Sequence, residues 1–471
     1  MRHVLVVILG TVLALLPFPA YAAEASPGKL GPAVALGVTS TPARSGEAST
    51  VTLALTPAPG APESLTLERW NGTTWHRVTT VTTDEAGRAI AAVTLARDPA
   101  RNRLRATLPG DATRPAVVTE HTPTLRRWGS TVTLRAPKSV VDEGRIILRL
   151  GWKAANAEAV SGWVKVQAKQ RRGKTYAKKW RTVARVRTDA KGVATLQRTP
   201  RWDTRWRAVG EQQAWVAADT SGVSRTVNRP PGRPVALPQG APRPRVTLPR
   251  PRRAVGKGAN VVVRTIPDGV WRSMVGRSWR KGCPVGRSGL RLVQTNFWGF
   301  DGYRYRGEVV VAKSVTANFA GAFREMHERR IPVRQMRRVD RFGWSKKLGG
   351  ADDYRSMAAD NTSVFNCRGV VGSPRVRSPH SYGRSLDLNP WENPYHARDG
   401  IHPNRWWASR SHPKVAWRGQ GHAVVRLLAR HGFRWTYGTS DAHHFDAVAG
   451  AGGQGLRELL SSPACVDDVC H

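Results

Sequence analysis

Two short stretches carry the side chains best suited to chemistry: "SPHSYGRSLDLN" at 378–389 and "SDAHHFDAV" at 440–448. In the first, Asp387 is wedged between Leu386 and Leu388. A buried carboxylate is unfavourable unless something positive meets it. Either Asp387 pairs with an arginine, or Asp387 and His380 hold a metal. A catalytic zinc takes three ligands from His, Asp or Glu and keeps one position for water. Such a site needs a third ligand and a general base, and the second stretch offers both. If it forms a strand, its side chains alternate between faces. With Phe445 inward, His444 and Asp446 point the other way, and Asp441 near the strand entrance can reach the water. The same alternation sends Leu386 and Leu388 to the core and leaves Ser385, Asp387 and Asn389 on the open face. Gly383 permits the tight turn that returns His380 to Asp387. His443 is a rival ligand, because a one-residue slip exchanges the two histidines.

Elements able to position these residues are legible around them. Strand-like "NVVVRTI" and "GEVVVAK" precede a helix from about Val315 to Arg330, with Phe319, Phe323 and Met326 at helical spacing. A second helix is expected from about Gln420 to Arg430, with Gly432 as its stop. Mixed strands and helices predict an α+β domain over 259–450. Upstream lies a repeat. "WHRVTTVTTDEAG" at 75–87 aligns without a gap to "WRTVARVRTDAKG" at 180–192, and "RLRA" at 103–106 echoes "RWRA" at 205–208. Short β-rich runs between turn residues predict two all-β, immunoglobulin- or fibronectin-like sandwiches, at 33–125 and 128–228. No Cys…Trp…Cys core pattern accompanies them. Residues 229–258, rich in Pro and Arg and free of Asp and Glu, read as an extended linker hydrated on all sides.

The remaining features bound compartment and partners. Arg2 and His3, an apolar run from Val4 to Leu16 and "AYAA" at 20–23 read as a secretory signal peptide over 1–22, too short for a stable membrane anchor. No later segment reads as a membrane span, so the protein is expected to be secreted and associated with the cell wall. Its 75 Lys and Arg against 33 Asp and Glu give a formal net charge of +42, which draws polyanions to the surface. Outside the cell the abundant polyanions are anionic wall polymers and lipid head groups. No nucleic-acid-binding motif accompanies the charge, so no specific nucleic-acid partner is expected. Four cysteines allow three pairings. The closeness of Cys465 and Cys470, in the tail at 451–471, favours a small loop and leaves Cys283 with Cys367.

The pattern S-x-H-x-x-G-x-S-x-D at 378–387 followed by D-x-x-H-F-D at 441–446 resembles the zinc D-alanyl-D-alanine carboxypeptidase family. VanY-type carboxypeptidases and phage L-alanyl-D-glutamate endopeptidases are among its relatives. "GCP" at 282–284, "RSMAADNTSVFNCR" at 355–368 and "NPWENPY" at 389–395 extend the resemblance over about 265–450, in the branch with a D-x-x-H-F motif. It implies an α+β zinc peptidase domain of the hedgehog/DD-peptidase-like fold. His380, Asp387 and His444 would be ligands of Zn2+, and Asp441 the general base. Arg368 would hold a substrate carboxylate or a polarised carbonyl oxygen, and Ser378 would support the metal-site loop. Two departures stand out: Ser385 occupies a position usually Ala, and "RWTYGTSDAHHF" lacks the Gly-Gly turn common before the second motif.

The expectation is therefore a secreted, monomeric zinc metallopeptidase acting on peptidoglycan. It would hydrolyse stem-peptide or cross-link bonds involving D-amino acids, as a D,D-carboxypeptidase or an L-Ala-D-Glu-type endopeptidase. The alternative is a catalytically inactive wall-binding or adhesive protein. Trp391, Trp406 and Trp407 either line a glycan-facing cleft or pack a core.

Overall fold

A computed structural model describes residues 33–448; the expected signal peptide, the C-terminal tail and Cys465 and Cys470 lie outside that range. The protein is mostly β-sheet with few helices and is multidomain. It divides into two compact units. One holds the described residues up to Thr131 together with Trp152–Gly162 and Gly210–Asp219. The other holds Val132–Gly151, Trp163–Val209 and the chain from Thr220.

In the first unit a three-stranded sheet (Ala35–Ser40, Ala48–Thr56, Arg88–Thr94) accompanies a four-stranded one (Trp75–Thr82, Ser64–Trp70, Leu104–Leu108, Val117–His121). Alternate side chains of Ala48–Thr56 are buried, the period-two pattern of a half-covered strand. They form one core with Leu65, Leu67, Leu104 and Leu108 of the other sheet, which gives a sandwich. In the second repeat, Trp163–Arg172 lies between Thr204–Gly210 and Arg181–Arg187, and Ser224–Arg229 flanks Thr204–Gly210.

The C-terminal part is built on a long hairpin. Leu290–Trp298 pairs with Arg304–Ala312 in unbroken register from Leu290↔Ala312 to Trp298↔Arg304. Val262–Arg264 and Arg252–Arg253 extend it into a four-stranded sheet. Helix Thr316–Glu328 buries Phe319, Phe323 and Met326 in the same core as Val293, Phe297 and Val309. Helix Ala423–Arg430 adds Leu427 and Leu428 to that core. It begins where the His422 ring accepts the Val424 N–H and ends before Gly432, whose φ is +73°. Strands Ser385–Asp387, His444–Ala447 and Phe433–Arg434 form the small sheet that carries both chemical stretches. A disulfide joins Cys283 to Cys367, immediately before Arg368.

The two helices are locked by one carboxylate. Glu325 accepts hydrogen bonds from Arg329 Nε at 2.6 Å and His431 Nε2 at 2.8 Å, and also bonds Arg430. Burial alone would raise its carboxyl, but the bonds from Arg430, Arg329 and His431 hold it down at about 2. A depressed carboxyl stabilises the fold fully above the unfolded value, near 4.5, and that stability is lost as pH falls through about 2. We expect about 2 kcal/mol of acid-labile stability over that window, diminished in Glu325→Gln, as read by urea melts at pH 7, 4 and 3.

The segment 229–258 differs from the linker expected of its composition. Its prolines keep it out of regular structure, but Arg252–Arg253 pairs with the hairpin. Val235 N–H bonds Phe300 O at 2.8 Å, and the Trp391 indole donates to Pro242 O at 2.8 Å. Leu237 and Ala241 pack against Trp391 and Trp407, which are buried in a core with Ala416 rather than lining a cleft. Pro and Arg content reports the lack of regular structure but not what covers the chain.

Candidate metal centre

The local folding that converges on the site begins at Ser378, whose hydroxyl accepts the His380 N–H and caps the 3-10 turn Pro379–Tyr382. Gly383 closes that turn at φ +70°, and its carbonyl accepts the Ala312 N–H at 2.8 Å. A Cβ there would stand 2.9 Å from Ala312 N. Both left-handed backbone and close approach exclude a side chain, so Gly383→Ala is expected to destabilise by about 1–3 kcal/mol in denaturant melts. The chain then enters Ser385–Asp387, which pairs antiparallel with His444–Ala447: Ser385↔Asp446, Leu386↔Phe445, Asp387↔His444. Leu386 and Phe445 share the core face, so the neighbouring pairs share the other face. Asp387 is further pinned by two backbone bonds with Ser363.

This register brings His380, Asp387 and His444 together, all buried, with one donor atom of each within 4.8 Å of the others. His380 Nδ1 is 2.6 Å from Val364 O, which assigns its proton to Nδ1 and leaves the Nε2 lone pair facing Asp387 Oδ1 at 3.1 Å. His444 turns Nδ1 toward Asp387 Oδ1 at 3.2 Å and Nε2 toward Asp446 Oδ1 at 3.1 Å. Asp446 in turn accepts Ser385 Oγ at 2.6 Å and Thr436 Oγ1 at 2.7 Å.

The electrostatics follow from burial and these contacts. Burial pushes the Asp387 carboxyl up, but His380, His443 and His444 hold it well below its ordinary value. Asp446 is likewise held low, against its burial, by His444 and the two hydroxyls. Burial lowers the His444 imidazole, but the Asp446 and Asp387 carboxylates raise it well above its usual range. A cation at Nδ1 competes with a proton there, so affinity falls on acidification.

Asp441 lies half-buried beside this cluster, its carboxyl raised by burial and by Asp387 despite the nearby His443 and His444. His443 sends Nδ1 to Asn393 O at 2.6 Å and Nε2 to Asp441 Oδ1 at 3.2 Å; Asp387 Oδ1 is 3.8 Å away. His444, not His443, thus faces both Asp387 and His380. Arg368 is buried and paired with Asp353, and Nη1 donates to Gly369 O at 2.9 Å. His380, Asp387, Asp441, His443, His444, Arg368 and Asp353 line one cleft together with Tyr395 and Tyr437. Burial raises the Tyr395 hydroxyl to about 12, so it remains a donor at neutral pH.

The donor set fits a zinc ion. It offers two imidazole lone pairs and one carboxylate, and the far nitrogen of each ring is fixed by an oxygen acceptor, as in protein zinc sites. Sequence reasoning placed Asp446 on the open face but gave it no role; the signal was its alternation with His444. Tyr395 and Tyr437 lie in stretches the resemblance covers but had no role there, and nothing in the spacing of Asp353 relates it to the histidines.

The sequence model of a family described as D-alanyl-D-alanine carboxypeptidase matches residues 371–447. No curated protein matches the chain. Among solved structures, a tetra-tandem repeat from the extending region of a large adhesion protein is 14% identical, with a TM-score of 0.31, over 59% of this chain and 74% of that one. A superoxide reductase (neelaredoxin) from Ignicoccus hospitalis is 12% identical, with a TM-score of 0.17, over 21% of this chain and 80% of that one. The alpha-2-macroglobulin of E. coli is 10% identical, with a TM-score of 0.19; 56% of this chain matches 18% of that one. At these TM-scores the structural likenesses carry no argument. The family match, which takes in His380, Asp387, Asp441 and His444, supports a D-alanyl-D-alanine carboxypeptidase-like peptidase domain at the C-terminal end of this chain.

Proposed function

We propose that this chain is a secreted, zinc-dependent peptidoglycan peptidase that cleaves stem-peptide or cross-link bonds involving D-amino acids. One observation carries the reading. Inside the matched stretch, two imidazoles and a carboxylate within 4.8 Å of one another share a cleft with the half-buried Asp441. His380 Nε2, Asp387 and His444 Nδ1 would hold the metal. Zinc there would supply Lewis acidity and lower the pKa of water to about 7.

Asp441 acts as the base, taking a proton from the attacking water and returning it to the leaving amine. Burial and the Asp387 charge raise its carboxyl above the ordinary carboxylate range, a shift in the direction that favours proton return. His443 Nε2 stands 3.2 Å from one oxygen of that carboxylate. Arg368, anchored on Asp353, is assigned to a carboxylate or carbonyl of the substrate.

The test is mass spectrometry of peptidoglycan fragments incubated with the purified chain beside Asp441→Ala. Loss of a terminal D-Ala identifies a carboxypeptidase, and separated L-Ala–D-Glu ends or opened cross-links identify an endopeptidase. Fragments indistinguishable from the Asp441→Ala control, across several wall types and with zinc bound, sink the enzyme reading in favour of a wall-binding protein.

A further inference from the structure

The two repeats carry a comparable outward face with different charge, and each serves as the control for the other. In both, a tryptophan shares the outward face of a sheet with two arginines. Arg103 and Arg105 lie over Trp75 at 5.5 and 4.7 Å in the first repeat. In the second, Arg207 lies over Trp180 at 4.6 Å and Arg205 over Tyr176 at 4.3 Å. The first pair is neutralised, Arg105 by Glu68 and Arg103 by Glu120, each at 2.7 Å.

In the second repeat a neutral group stands in the place of Glu68, and neither arginine has a salt-bridge partner among the described residues. Gln167 takes the Arg207 Nε–H at 2.8 Å, just as Glu68 takes that of Arg105. Glu120 stands opposite Arg105, whereas in the second repeat the cation Arg225 stands opposite Arg205, and the pairing ends at Trp206↔Ser224. Lys169 adds a further cation, 5.1 Å from the Trp180 ring. Arg205 faces Arg225 directly, an arrangement of like charges that destabilises a sheet on its own. Among the described residues no salt bridge engages Lys169, Arg205, Arg207 or Arg225.

We propose that this face of the second repeat, formed by Lys169, Arg205, Arg207 and Arg225 around Tyr176 and Trp180, binds a linear phosphodiester polymer of the cell wall. Guanidinium groups placed over rings keep donors for phosphate oxygens. Their rows, about 6.6 Å apart along a strand and about 4.8 Å across strands, suit the successive phosphates of a flexible chain. Single-stranded nucleic acid is disfavoured, since its bases need open aromatic faces and these rings are covered by cations. The choice of a wall polymer rests on the peptidase reading above, but the anion-binding face does not.

The experiment measures binding of the full chain to immobilised poly(glycerol phosphate) across a salt titration, with hydrolysis of a soluble muropeptide followed in the same samples. Gln167→Glu recreates on Arg207 the ion pair of the first repeat, so it preserves the fold, and it is expected to weaken binding about tenfold. The triple variant Lys169→Gln, Arg205→Gln, Arg207→Gln should flatten the log affinity–log salt slope by about 2. The matched control Arg103→Gln, Arg105→Gln should change binding by less than about twofold. An equal loss in the control, or no loss in Gln167→Glu and the triple variant, overturns the proposal. Tighter binding of single-stranded DNA than of the polymer, lost in the same variants, overturns the assignment of the ligand. Variant-dependent binding with no hydrolysis in any sample upholds this surface while refuting the peptidase.

Discussion

Replacing Asp441 with Asn is expected to lower kcat for muropeptide hydrolysis by about 10²–10⁴-fold with zinc content unchanged, the usual effect of deleting a positioned general base. Asn has the shape of Asp but cannot accept the proton. The position itself should hold, because the Asp441 backbone carbonyl accepts the His444 N–H at 3.2 Å. The ligand cluster does not include the Asp441 side chain, so metal content separates a base from a fourth ligand. Inductively coupled plasma analysis of the purified variant, beside steady-state kinetics, reads both. Zinc lost together with activity would make Asp441 a ligand; activity retained within about tenfold would remove it from the chemistry.

What could be read in the sequence was local, and what could not was long-range. The turn at Gly383 and the alternation of Leu386, Asp387 and Leu388 sufficed to place His380 beside Asp387, since those neighbours are only a few residues apart. Alternation also put His444 and Asp446 on one face, but only the pairing Asp387↔His444 decides between His444 and its neighbour His443. Ser385 read as a small departure from a family pattern. In the fold its hydroxyl reaches Asp446, which stands opposite it in the sheet. Asp353 holds Arg368 from the start of a short helix, a contact that no period in the chain announces. The expected helices at about 315–330 and 420–430 appear as Thr316–Glu328 and Ala423–Arg430, because apolar spacing and a stop glycine are local signals. The division of the chain into two compact units had no such signal, since it depends on which residues far apart in sequence come to lie together.

Asp446 accounts for the second large effect. It is held as a carboxylate by Ser385 Oγ and Thr436 Oγ1, and it takes the Nε2 side of His444, so the Nδ1 lone pair is directed at Asp387 and His380. A carboxylate behind an imidazole fixes its tautomer and raises its basicity, and losing such a partner lowers metal affinity by about 10–100-fold. Asp446→Asn keeps an oxygen that can still accept from Nε2 but removes the charge, so zinc affinity, measured by competition with a chromophoric chelator at pH 7, should fall within that range. Ser385→Ala removes one of two hydroxyls that act on the metal only through Asp446 and His444, and should lower affinity by only a few-fold, about 1 kcal/mol. The pair also separates positioning from mere folding. A structural defect alone would lower the melting temperature equally with zinc and with chelator, whereas a loss of ligand basicity lowers the zinc-bound melt by more than the chelated one. Zinc affinity in Asp446→Asn equal to that of the parent protein would leave His444 oriented by the sheet register alone.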